Sequence, residues 1–96
     1  FYIACEKGHL QIVKLLLNDQ GLQDINKPNK YDQTPFYIAC QDGHLEIVKV
    51  LLNDQRIQDI NKPNNRNQTP FFIAYEKRHL EIVKLLLNDQ RLQGIN

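Results

Sequence analysis

Apolar residues fall along this chain in a figure that recurs. From Phe36 to Cys40 the run Phe-Tyr-Ile-Ala-Cys is unbroken, and a second cluster follows Gly43. In that second cluster Leu45, Ile47, Val48, Val50, Leu51 and Leu52 are apolar, while Glu46, Lys49 and Asn53 are polar. The three polar positions stand at i, i+3 and i+7, a single narrow stripe on a helix. The pattern therefore predicts a largely buried helix from about His44 to Asn53. Ahead of the first cluster, Thr34-Pro35 is a helix-start signal: the threonine hydroxyl can cap free amides, and proline costs nothing at the first helical position. Gly43 suits the left-handed residue that ends the short first helix. The polar stretch holding Pro63, Asn64, Asn65 and Asn67 reads as a turn before the next Thr69-Pro70.

Laid over itself, the chain matches without gaps at an offset of 35 residues: Phe1–Asn26 recurs at Phe36–Asn61 and at Phe71–Asn96. Between the first and second copies 20 of 26 positions are identical, and between the second and third 18 of 26, so one unit has been duplicated. The expected divisions are 1–33, which lacks its own Thr-Pro start, 34–68, and 69–96, whose connection is truncated. No single unit can bury so wide an apolar surface alone. Stacked units cover one another, so the pattern predicts an all-α solenoid of helix-turn-helix pairs.

The unit resembles the ankyrin repeat. The resemblance rests on Thr34-Pro35-Phe36-Tyr37-x-Ala39-Cys40-x-x-Gly43-His44-Leu45-Glu46-Ile47-Val48-Lys49-x-Leu51-Leu52, followed by Asp59-Ile60-Asn61, and it spans the whole chain in register. It implies protruding β-hairpin or turn connections, a concave surface of hairpin tips and inner helices, and non-enzymatic binding of a partner protein. The period exceeds the roughly 33 residues usual in the family. The excess lies around Gln55-Arg56-Ile57-Gln58, where an extra partial turn is expected to tuck Leu22, Ile57 or Leu92 against the second helix. An aromatic (Tyr2, Tyr37 or Phe72) replaces the histidine of the family's Thr-Pro-Leu-His, which predicts more apolar packing between units. Asp32 and Asn67 replace the turn glycine, as the next-best residues for positive φ. Arg78 replaces the helix-ending glycine in the last copy, at an expected cost of about 1 kcal/mol.

Composition narrows the function classes. Twelve Lys and Arg against eleven Asp and Glu give a net charge of +1, too little basic excess for nucleic acid as the main partner. No apolar run approaches the roughly 20 residues of a membrane span, so no membrane insertion is expected. The chain opens on Phe1 inside an apolar stretch, which reads as a slice of a longer protein or an excised module. His9, His44 and His79 are repeat-equivalent, so neighbours should lie about 8–10 Å apart, the spacing of packed helices. Zinc ligands must all lie about 2 Å from one centre, so the histidines read as structural. Cys5 and Cys40 are likewise equivalent, too far apart for a disulfide, and suit a reducing intracellular setting, the cytoplasm first. There is no serine, and Thr34 and Thr69 are committed as caps, so no catalytic set is expected, nor any cofactor or metal.

The copies differ chiefly where packing does not demand it. On the first helix these positions are Glu6-Lys7, Gln41-Asp42 and Glu76-Lys77. In the connections Lys30 and Tyr31 stand against Asn65 and Arg66, beside Gln33 and Gln68. The outer helix keeps Gln11, Glu46 or Glu81 beside Lys14, Lys49 or Lys84, a monotonous solvated back. The varied positions match the family's concave face and are the expected partner contacts, with exposed Tyr31 and Arg66 as interface-forming types. Competing expectations are a spacer within a longer solenoid, whose uncapped ends could self-associate, and a targeting module for a catalytic domain elsewhere in the parent chain.

Overall fold

A computed structural model of the chain describes residues 1–92. Six helices follow one another in pairs: α1 (Tyr2–Lys7) with α2 (Leu10–Leu17), α3 (Pro35–Gln41) with α4 (Leu45–Leu52), and α5 (Pro70–Glu76) with α6 (Leu80–Leu87). Each pair packs on the next, α1 on α3 on α5 along the inner row and α2 on α4 on α6 along the outer. Among the described residues there is no strand, and the connections between pairs are turns.

The helix starts form as the sequence predicts. Thr34 and Thr69 take extended backbone at the N-cap, and their hydroxyls accept from the amides of Tyr37 and Phe72, with Pro35 and Pro70 next in line. The second helix of each pair is a little shorter than expected. His44 and Asn53 flank it rather than join it, and the histidine gives the helix no side-chain cap. Gly8 and Gly43 carry φ of +77° between the two helices, and Arg78 holds the same place at +65°. Asp32 and Asn67 also take positive φ, as the turn expectation required.

The core runs the length of the stack, through Cys5, Val13, Phe36, Ala39, Cys40, Val48, Leu51, Ala74 and Leu86. Ile57 and Ile60 are buried with it, so the two-residue excess closes as a turn (the Ile57 amide donates to the Asp54 carbonyl) that lays its apolar residue on the core. Leu22 and Leu92 do the same, half-buried. The aromatic replacing the family's histidine is only partly an apolar filler. Tyr37 is fully buried, yet its hydroxyl accepts a 3.0 Å hydrogen bond from Asn64 Nδ2. Tyr2 receives the same bond from Asn29 at 2.8 Å. Burial, followed by the nearby carboxylates of Glu6 and Asp42 for Tyr2 and of Glu76 for Tyr37, pushes both phenols up, Tyr2 to about 12, so they stay neutral. Phe72 has no hydroxyl and is partly exposed.

Candidate partner-binding surface

The connections owe their shape to asparagine. Asn29 Oδ1 accepts from the amides of Tyr31 and Gln33, its Nδ2 donates to Gln33 Oε1, and its own amide donates to the Gln33 carbonyl at 3.0 Å. Asn64 repeats this with Arg66 and Gln68, and is itself buried. One asparagine thus pins a tight turn and ties it through tyrosine to the inner helix of its own unit. The two turns are also joined directly, because the Asn65 amide donates to the Tyr31 carbonyl at 2.9 Å. The tips are therefore preset, and little ordering entropy remains to be lost on binding.

A groove of about 340 Å³ lies between these turns and the inner helices. It brings together Tyr31, Gln33, Gln41, Asn65, Arg66, Gln68, Glu76 and Lys77 of the expected contacts. Glu6, Lys7, Lys30 and Asp42 lie outside that lining, although Lys30 Nζ sits 5.2 Å from the centre of the Tyr31 ring and Gln41 Nε2 donates to Asp42. Tyr37 and Ile73 form the floor, both with almost no exposed area. The floor therefore gives shape, and the walls carry the accessible groups: a half-exposed tyrosine, an exposed arginine, amides, and the Glu76-Lys77 pair. Such a groove can read hydrogen-bonding and charged groups, with Tyr31 and Arg66 as its largest accessible side chains.

The histidines, read from sequence as structural, link units. His44 Nε2 donates to the Glu6 carbonyl and His79 Nε2 to the Gln41 carbonyl, each at 2.9 Å, reaching back to the end of the preceding inner helix. The ring also lies on the preceding glycine. A Cβ at Gly43 would stand 2.7 Å from His79 Cε1, and one at Gly8 2.6 Å from His44 Cε1. Cys5 and Cys40 are buried free thiols, and burial raises their pKa, Cys5 to about 12, so neither is a poised thiolate.

A second link was not foreseen from sequence. Arg56 donates through Nη2 to the Leu17 carbonyl at 2.6 Å and through Nη1 to the Asp19 carbonyl, closing the C-terminal end of the preceding outer helix. Asp54 holds the guanidinium in a two-point grip at 2.8 and 3.0 Å, and the bonded arginine holds that carboxyl below the usual range. Arg91 reaches the Leu52 carbonyl under the same grip from Asp89. A cation at the last carbonyls of a helix also meets its negative end. The larger hollow beside this clamp, about 540 Å³, is lined by Leu17, Asn18, Asn53 and Asp54 with neighbours mostly unchanged between copies. The signal was present in the sequence: arginine occurs at this position in the second and third copies and glycine (Gly21) in the first. Asn26 and Asn61 complete the seam by donating to the carbonyls of Arg56 and Arg91. Their counterpart Asn96 lies outside the described residues.

Helix pairs stacked through repeated seams, with a preset row of turns along one edge, define a helical solenoid. The chain belongs to the ankyrin repeat family: the family model for ankyrin repeats, in three copies, matches residues 1–96. Comparison with curated proteins gave no match. No described helix is long and apolar enough to cross a membrane.

Proposed function

We propose that this chain is a non-enzymatic interaction module that holds a partner protein on the groove between its turns and inner helices. Ankyrin repeats are generally protein–protein interaction modules. The observation that carries the reading here is the groove itself, in which residues that vary between copies cluster over a rigid, hydrogen-bonded floor. Tyr31 and Arg66 are its anchors, Gln41, Asn65, Glu76 and Lys77 set its polarity, and Glu6, Lys7, Lys30 and Asp42 extend it along the same edge. Gln33 and Gln68 hold the turns in shape as well as lining the groove. The near-neutral charge supports a protein partner over nucleic acid. The buried free thiols suit an intracellular setting.

The test is a pull-down comparing the native chain with Tyr31→Ala/Gln41→Ala/Arg66→Ala, alongside a back-face control, Lys14→Ala/Lys49→Ala/Lys84→Ala. Partner recovery should collapse for the first set and persist for the second. Equal recovery from both folded variants would remove the groove from the reading. A second reading, a spacer within a longer stack, draws support from the exposed apolar residues at both ends of the array, Ile3 and Leu15 at one and Leu80 and Leu87 at the other.

A further inference from the structure

The two end faces carry apolar area, and the two internal seams show what fits such faces. In each seam the incoming unit seats a histidine on a glycine of the unit before it, and its arginine grips that unit's outer helix. The incoming unit also covers the cysteine of the unit before it: Cys5 and Cys40 are 0 % exposed where a unit follows, and Tyr75, their equivalent, is 66 % exposed. At the N-terminal face the incoming set is largely intact. Ile3, Ile12 and Leu15 stand open there, the counterparts of Ile38, Ile47 and Val50 that the first unit covers. His9 is in place, and only the arginine is missing, replaced by Gly21. At the C-terminal face two of the three receiving features are altered, while Leu87, the equivalent of the gripped Leu17 and Leu52, is unchanged. Arg78 puts a Cβ where the glycine seat must be bare, and Tyr75 puts a phenol where a thiol fits.

We propose that the array is directional in what it accepts: its N-terminal face takes another unit of this repeat bearing the glycine seat, and its C-terminal face refuses a following unit bearing the histidine. The reason is geometric. A histidine arriving on Arg78 in the seam geometry would place its ring within about 2.7 Å of that Cβ, as the positions at Gly8 and Gly43 show. The ring cannot swing aside without losing its bond to the preceding helix carbonyl. The same obstruction applies to a second copy of the chain, because its first unit presents His9. Head-to-tail self-association is refused by the C-terminal face, even though both ends are apolar. This inference does not depend on where a partner binds.

Two extensions of the full chain test it. In one, a copy of residues 36–70 precedes Phe1, so that its Thr69-Pro70 keeps the 35-residue period. In the other, residues 62–70 and then 36–61 follow Asn96. Thermal unfolding and amide exchange are the readouts. The N-terminal extension should raise Tm by about 5 °C or more and show protected amides in the added unit, with a further gain from Gly21→Arg. The C-terminal extension should leave Tm unchanged and its added amides unprotected, until Arg78→Gly with Tyr75→Cys, or Arg78→Gly alone in part, restores both. Sedimentation of the unextended chain should give one monomeric species across concentration. A C-terminal extension equally protected in both backgrounds, an N-terminal extension that adds nothing, or head-to-tail association of the native chain would overturn the proposal.

Discussion

Gly43 meets two demands at once. Its φ of +77° is left-handed, and its bare Cα is the floor on which the His79 ring lies. Each demand alone disfavours a side chain by about 1–2 kcal/mol. Gly43→Ala should therefore destabilise the chain by about 2–4 kcal/mol in urea unfolding. In a His79→Ala background only the backbone part remains, so the cycle should show coupling of about 1 kcal/mol or more. Arg78 is the natural counterpart of that experiment, a side chain already held at φ +65° with no ring above it. Arg78→Gly relieves the strain but loosens the unfolded chain, and the balance should be a gain of roughly 0.5–1 kcal/mol. A loss of stability would show that the arginine makes a contact of its own.

Among the elements, the inner helices depend on their caps. Thr34 is buried, and its hydroxyl is the partner of the Tyr37 amide. Thr34→Ala should cost about 1–2 kcal/mol, towards the upper end because the freed amide is buried too. The turns after the outer helices depend on Asp54 and Asp89, whose carboxyls are held low by Arg56 and Arg91. A depressed carboxyl gives stability that is present above the unfolded value near 4 and is lost as pH falls through the folded value. Stability should therefore decline below about pH 4, and the decline should be shallower in Asp54→Asn with Asp89→Asn. What the sequence disclosed at this scale was what depends on neighbours in the chain: the Thr-Pro starts, the left-handed positions, the period, and the apolar residue of the extra turn. The tie from the turn asparagine to tyrosine and the arginine's grip on the preceding helix were not legible as contacts, because those partners lie far off in sequence. Asn64 bonds Tyr37 across 27 residues, and Arg56 bonds Leu17 across 39. The aromatic at the family's histidine position was read as apolar packing. Its hydroxyl is invisible to a hydrophobic pattern, but it gives the turn asparagine an acceptor in the core.

For the whole molecule, duplication separates the positions that hold the stack from those that vary between copies. The seams use residues that recur at the 35-residue period, and the copies depart from it at single positions such as Gln11, Leu15 and Phe72 and in two clusters. One is in the first and third copies, where Gly21, Tyr75 and Arg78 alter the stacking set. The other is the groove, where Tyr31 gives way to Arg66 and Gln41 to Glu76. Eight of the twelve expected contacts line that groove, because position within the unit fixes the edge a residue faces. Glu6, Lys7, Lys30 and Asp42 fall outside it, since one groove spans one seam and these residues flank it. The most direct measurement places a photoreactive residue at Tyr31 or Arg66, or on the back at Lys49, and compares partner adducts formed in cells. Adducts concentrated at Tyr31 and Arg66, and lost when Gln41→Ala/Glu76→Ala/Lys77→Ala is added, are the predicted result. Adducts at Lys49 equal to or exceeding those in the groove, with the fold intact, would contradict it.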